Sequence, residues 1–213
     1  MGSFIKRLTL ITALLALVVA IAAAAPGFAA RTFIIDPAES RAVVTVGKSG
    51  IFSFAAGHTH EITSPLRGTI ELDTANPARS TIHMEIETKG LVVDPKGEPP
   101  KDVPEVQSVM LGDKVLDAAK FPTIDFKSRV LFVTKHTDTT WELTAAGSFA
   151  LHGVTKELTF PVTAELVGDK LTAQGKFEFK QTDYGIKPVS VAGVVKVEDK
   201  LTINYTVVAK PKG

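Results

Sequence analysis

Two histidines near the start of the chain have the residue type and spacing best suited to chemistry. His58 and His60 stand at positions i and i+2 after an apolar run, so in an extended strand both imidazoles point to the same face. Two imidazoles on one face can ligate a metal ion, contact an anionic headgroup, or close the end of a barrel. The local sequence leaves these three roles open.

A metal site at His58 and His60 lacks the additional ligands that such sites usually have. Cupin barrels place a glutamate three or four residues after the second histidine, but Thr63 and Ser64 occupy those positions. Cysteine is absent from the chain, which excludes thiolate metal sites, thiol catalysis and disulfides. We therefore expect no metal and no other cofactor, and keep a metal-binding barrel as the alternative.

Catalysis has little support in the sequence. A hydrolase needs a nucleophile beside a base that a third group orients. Ser49 and Ser53 lie near the histidines in sequence, but no Gly-x-Ser-x-Gly motif occurs anywhere in the chain. We predict that the protein is not an enzyme.

The elements that position these residues are predicted to be β-strands. Every second residue from Trp141 to Leu151 is apolar or small, and the same alternation continues through 158–166 and 171–179. With the shorter alternating runs before them, these segments predict an all-β, antiparallel barrel of about eight strands, since closure removes exposed edges. The run from Pro104 to Ala119 breaks the pattern and predicts a helical insertion of one or two short helices.

The inward positions of the long strands mix small residues with phenylalanines. An eight-stranded barrel either fills its interior with side chains or leaves room for one ligand. Glycine and alanine among aromatic rings favour a tunnel that an apolar chain could occupy lengthwise. The residues concerned are Ala145, Gly147, Phe149, Ala173, Gly175, Phe177 and Phe179.

Residues 1–29 have the pattern of a cleaved signal peptide, with an uncleaved membrane anchor as the alternative. Lys6 and Arg7 precede an apolar core, and Gly27 and Ala29 are small residues before a cleavage site after Ala29. Loss of these two basic residues and no acid changes the formal charge from +1 to −1, which gives no basic surface for nucleic acid. We predict one domain over 30–213 in a periplasmic or secreted protein.

Several motifs, in this order, resemble the YceI-like family of exported lipid-binding proteins. They are Phe33–Ser40, Gly68–Asp73, Val115–Phe126, Leu151–Leu158, and Phe177–Phe179 leading to Asp183–Ile186. The resemblance implies a lipocalin-like barrel that sequesters or carries a long-chain apolar ligand such as a polyisoprenoid, an isoprenoid quinone or a fatty-acid-like lipid. It is compatible with transient membrane contact and with a homodimer. A stress-related structural module with a filled core and no ligand is a further alternative.

The expected ligand contacts follow from the resemblance together with the inward positions of the strands. Tyr184 is expected to close a turn and to offer its phenol to a headgroup. Trp141 is expected to plug one end of the barrel, with ligand contact as the alternative role. The full set of predicted ligand-binding residues is Phe52, Phe54, His58, His60, Phe126, Trp141, Phe149, Phe177, Phe179 and Tyr184.

Overall fold

The computed structural model describes residues 30–49, 60–97, 100–191 and 195–213, and most of them are in strands. The strands are β1 (Arg31–Ile35), β2 (Arg41–Ser49), β3 (His60–Pro65), β4 (Arg67–Leu72), β5 (Thr81–Glu87), β6 (Val92–Val93), β7 (Thr123–His136), β8 (Thr140–Leu151), β9 (Val154–Val167), β10 (Lys170–Lys180), β11 (Ser190–Val191) and β12 (Val195–Pro211). The described part of the chain contains one α-helix, α1 (Val103–Leu111).

Eight of the strands close into an antiparallel barrel, as the sequence predicts. Their order is β1, β4, β5, β7, β8, β9, β10 and β12, and β12 pairs again with β1. β12 also pairs with β2 along its earlier residues, so β2, β3 and β6 extend the wall beside β1 and β4. The predicted fold class is therefore confirmed.

The two-residue hairpins set the register of the long strands. His152 and Gly153 connect β8 to β9, and both have positive φ, 52° and 75°. This is the backbone of a turn whose twist matches that of the strands it joins. Gly168, with φ of 58°, begins the similar turn from β9 to β10.

One half of the barrel interior is filled by side chains. The registers place Trp141 opposite Ala164, Ala164 opposite Ala173, and Ala173 opposite Val207, so these residues follow one another across four neighbouring strands. Trp141 is 2% exposed, and the neighbouring Val207 is equally buried. The first residues of β8 and β10 therefore surround a closed, apolar core.

β9 and β10 separate after a short ladder. Their pairing covers the stretch from Lys170 opposite Val167 to Gln174 opposite Thr163. Beyond that level the Tyr205 hydroxyl, on β12, donates a 2.7 Å hydrogen bond to the Pro161 carbonyl of β9. A side chain of β12, which lies against Gly175 of β10, thus bonds to β9 just beyond the end of the β9–β10 ladder.

The helical insertion is one helix followed by turns. α1 begins after Asp102, has Pro104 in its first turn, and ends at Gly112, whose N–H donates to the Ser108 carbonyl at 3.0 Å. The chain up to Ala119 continues as turns, so the predicted run of 104–119 is helical only in its first part. Within the described residues, no helix has the length and apolar character needed to cross a bilayer.

Candidate ligand cavity

A cavity of about 960 Å³ occupies the half of the barrel that is not filled. Its wall includes Phe149 and Leu151 at the end of β8, Phe179 at the end of β10, and Leu201 on β12. Further apolar lining comes from β2, β5, β7, β9 and α1. Its volume is at the upper end of the usual range for small-molecule sites, roughly 300–1,000 Å³.

Four of the predicted contact residues line this cavity. Phe126, Phe149, Phe177 and Phe179 all belong to its wall. Trp141 does not, because it lies in the filled half of the barrel, the position expected for a plug. The unpaired Nε1 of Trp141 is the one buried side-chain polar atom without a hydrogen-bond partner among the described residues.

Tyr184 supports the wall from behind. Its ring lies edge-on to Phe149 and Phe179, with centroids 5.4 Å and 5.3 Å away, but it is not among the lining residues. Burial raises the pKa of the Tyr184 phenol, and the neighbouring Asp183 carboxylate raises it further. The phenol therefore stays protonated under ordinary conditions.

Phe160 is a lining residue that the sequence prediction missed. It joins Phe126 and Phe177, with ring centroids 4.8 Å and 5.0 Å away, and so completes a continuous band of rings that includes Phe179 and Phe149. The signal was present in the alternation of Leu158, Phe160 and Val162. Offset and edge-on ring pairs of this kind stabilise a wall and present an apolar surface.

The small inward residues do not form the floor of a tunnel. A Cβ on Gly175 would lie 2.3 Å from both the Tyr205 hydroxyl and the Pro161 carbonyl oxygen. A Cβ on Gly147 would lie 2.0 Å from the Lys127 carbonyl oxygen. These glycines allow close approach within the barrel wall, and neither residue lines the cavity. The prediction that these small residues leave room for a tunnel lengthwise through the barrel is therefore wrong.

Helix α1 covers part of the cavity with one face. The lining residues Val106, Val109 and Met110 share a helical stripe with Asp102 and Glu105. The helix is attached to the barrel by Gln107, whose side-chain amide donates to the Leu91 carbonyl and accepts from the Val93 N–H, both at 2.8 Å. The amide thus satisfies the Val93 N–H and the Leu91 carbonyl, the backbone groups that another strand would otherwise pair with.

The predicted histidine site lies largely outside the described residues. Phe52, Phe54 and His58 are in the undescribed segment 50–59, and His60 is described only as the first residue of β3, opposite Val46. Their contribution to the cavity stays a prediction.

A different group on the outer face of β5 and β7 has metal-ligand residue types. Ligand atoms of His83, Glu85 and Asp125 all lie within 4.8 Å of one another. Asp125 is already hydrogen-bonded to His83 Nε2 at 2.5 Å and ion-paired with Lys127 at 3.2 Å. The carboxylate is thus partnered on both oxygens, and the group is explained as a cross-strand polar network.

The same architecture is found in solved bacterial structures. BcnA of Burkholderia cenocepacia superposes with a TM-score of 0.63 at 18% identity, covering 83% of this chain and 99% of its own. A YCEI protein of Campylobacter jejuni superposes with a TM-score of 0.53 at 15% identity, covering 70% of this chain and 81% of its own. No curated protein matches the sequence.

The family assignment rests on the sequence itself. The family model described as the YceI-like domain matches residues 33–209, which span β1 to the end of β12. The motifs that suggested the resemblance lie within that range, at the first strand, the turn after α1 and the β8–β9 hairpin. The chain therefore belongs to the YceI-like family.

Proposed function

We propose that this protein is an exported binding protein that holds the apolar chain of a lipid, such as a polyisoprenoid, an isoprenoid quinone or a fatty-acid-like molecule, inside the barrel. The observation that carries the proposal is the 960 Å³ cavity with its band of aromatic rings. Each CH2 group of a chain buried there would contribute about 0.8 kcal/mol. A chain of moderate length would therefore be retained without any polar contact.

Binding, and not catalysis, is the role that we infer. The cavity wall is apolar over most of its extent, and its four carboxylates belong to the polar network on β5 and β7 or to the start of α1. Glu85 and Asp125 are in the polar network on β5 and β7, and Asp102 and Glu105 are on the helix. A carrier needs only the enclosed volume and a way for the chain to enter.

The proposed export rests on the N-terminal sequence. Residues 1–29 combine the basic pair Lys6 and Arg7 with an apolar core and small residues before Ala30. The mature protein should therefore begin near Ala30 and be found in the cell envelope or the medium. N-terminal sequencing of the protein from its own host tests this, and an intact Met1 would overturn it.

Native mass spectrometry of protein purified from its own host tests the binding function directly. A complex heavier than the mature chain, from which organic solvent extracts a lipid, is the expected result. Val44→Trp should prevent that complex, because Val44 lines the cavity and is only half-buried, so the larger ring occupies the ligand volume. Thr45→Trp is the matched control, since it alters the next residue of β2, which is not in the lining.

The outcomes separate the rival functions. If the wild type carries no lipid and leaves an apolar fluorescent probe unbound, the carrier proposal is wrong and the structural module without ligand takes its place. A stoichiometric metal that His58→Ala with His60→Ala removes would favour the metal-binding barrel. Equal loss of lipid in Val44→Trp and Thr45→Trp would show that damage to the strand, and not occupation of the cavity, causes the effect.

A further inference from the structure

A second, smaller depression lies next to the ligand cavity. Its volume is about 500 Å³, and a larger share of its lining is polar than in the cavity. The residues around it come from the turn after α1, the β8–β9 hairpin and the segment after Tyr184. They are Asp113, Lys114, His152, Gly185, Lys187 and Val189.

The depression and the cavity are adjacent and share part of their lining. Val189 lines both of them. In three separate segments, a depression residue is the sequence neighbour of a cavity residue; the pairs are Lys114 with Val115, His152 with Leu151, and Lys187 with Ile186. A chain in the cavity whose end passes Val189 would place its polar end in the depression.

The side chains of the depression favour a negative charge. Lys114 and Lys187 are exposed, and neither forms an ion pair with a residue in the described ranges. His152 Nδ1 donates to the Tyr184 carbonyl at 3.2 Å, so the other ring nitrogen of the neutral imidazole is an acceptor, and the positive charge of the depression comes from the two lysines. Asp113 is the one acid there, against two ammonium groups.

The acids of the cavity rim lie away from this depression. Asp102 and Glu105 are at the N-terminal end of α1, where carboxylates are stabilised by the helix dipole without any ligand. Lys114 follows the other end of the nine-residue helix, about 13 Å along the axis. That separation exceeds the Debye length of about 8 Å at physiological ionic strength, so the acids are largely screened from the depression.

We propose that the depression holds the anionic headgroup, a phosphate or a carboxylate, of the amphiphile whose chain occupies the cavity. This inference rests on the proposed function and makes it more specific. Lys114 and Lys187 supply the charge that holds the headgroup. The acids on α1 disfavour the opposite orientation of the ligand, so the charge pattern fixes which end of the cavity the headgroup takes.

The test uses amphiphiles with the same chain and different headgroups. Hexadecyl phosphate, palmitate, hexadecanol and hexadecyltrimethylammonium would each displace an apolar fluorescent probe, below their aggregation concentrations. At physiological ionic strength we expect the two anions to bind about five- to tenfold more tightly than the alcohol, since each exposed ion pair contributes modestly. The cation should bind more weakly than the alcohol, and inorganic phosphate alone should not displace the probe.

A charge-removing variant identifies the residues. Lys114→Gln with Lys187→Gln should lower the affinity for the two anions to that of the alcohol and leave the alcohol unchanged. Lys176→Gln with Lys212→Gln removes two exposed lysines that are not in the depression and should preserve the preference. The wild-type series alone decides the sign of the preference, even if the double variant folds poorly.

Each outcome leads to a different conclusion. If no amphiphile displaces the probe, including the alcohol, the proposed function itself fails. Equal binding of all headgroups, or tighter binding of the cation, overturns the anion site while the carrier function stands. Preference for only one of phosphate and carboxylate identifies the headgroup class. Loss of the preference in the Lys176 and Lys212 control would show that net charge, and not the depression, causes it.

Discussion

The attachment of α1 through Gln107 should control how easily the cavity opens. The Gln107 amide makes two 2.8 Å hydrogen bonds to the backbone of Leu91 and Val93, and among the described residues no other side chain of α1 hydrogen-bonds to the barrel. Gln107→Ala removes both bonds. At about 1 kcal/mol for each neutral hydrogen bond, the local opening free energy of α1 should fall by about 2 kcal/mol, a change of roughly 30-fold in the opening equilibrium.

Hydrogen exchange measures that opening directly. In Gln107→Ala, the Val93 amide and the amides of α1 should exchange about 30-fold faster, whereas amides of β8 and β9 should keep their protection. Release of a bound apolar probe should accelerate by a similar factor if the chain leaves beneath the helix. Ser108→Ala is the control, since Ser108 is exposed on the same helix and forms no side-chain hydrogen bond with described residues.

Two results would refute the reasoning about Gln107. Unchanged exchange at Val93 would mean that the helix is held by Val106 and Met110 and that the amide bonds contribute little. A uniform loss of protection in all strands would mean that α1 and the barrel unfold as one unit. In that case the helix could not act as a separate cover over the cavity.

Three other predictions concern the barrel itself. Tyr205→Phe should lower the free energy of unfolding by about 1 kcal/mol, because the Pro161 carbonyl on β9 loses its donor; urea denaturation measures this, and no change would contradict it. Lys210 hydrogen-bonds to both Asp36 and Glu39. Lys210 is the main cause of the lowered pKa of Asp36, and it adds to the larger effect of Lys170 on the lowered pKa of Glu39. The stability that these pairs contribute is present above the ordinary pKa values of 3.8 and 4.5 and is lost as the pH falls through the lowered values; the difference in denaturation midpoint between wild type and Lys210→Gln should therefore be constant near pH 6 and shrink in acid, and a difference that grows in acid would contradict it. Trp141, the sole tryptophan, should emit at short wavelength, resist iodide and change little when an apolar ligand binds; a large shift would place the ligand in the filled half.

Local patterns predicted much of the fold and part of the cavity. Alternation identified the long strands and placed Phe149, Phe177 and Phe179 on the inner face, because a strand presents every second side chain to the same side. The same alternation places Phe160 on the inner face, so the prediction should have included this residue as well. The shear of the barrel, however, is a property of all strands together, so alternation could not tell which level of the interior is filled.

The features that sequence reasoning missed depend on contacts between distant segments. Gly175 looked like a gap in the interior, but its space is taken by Tyr205, which is 30 residues later and directly opposite in the register. Gln107 was one polar residue in a weak helix, and its two bonds to β6 become visible only when the helix is docked. Such contacts leave no periodic signal in the sequence.

The separation of β9 from β10 has a consequence for self-association. A strand that leaves its neighbour exposes backbone groups like the edge of an open sheet, and such an edge can recruit a strand from another molecule. On β9 the exposed stretch contains Pro161, which has no N–H to offer, and its carbonyl is already occupied by the Tyr205 hydroxyl. Pro161 and Tyr205 together thus make this edge of β9 a poor template for aggregation.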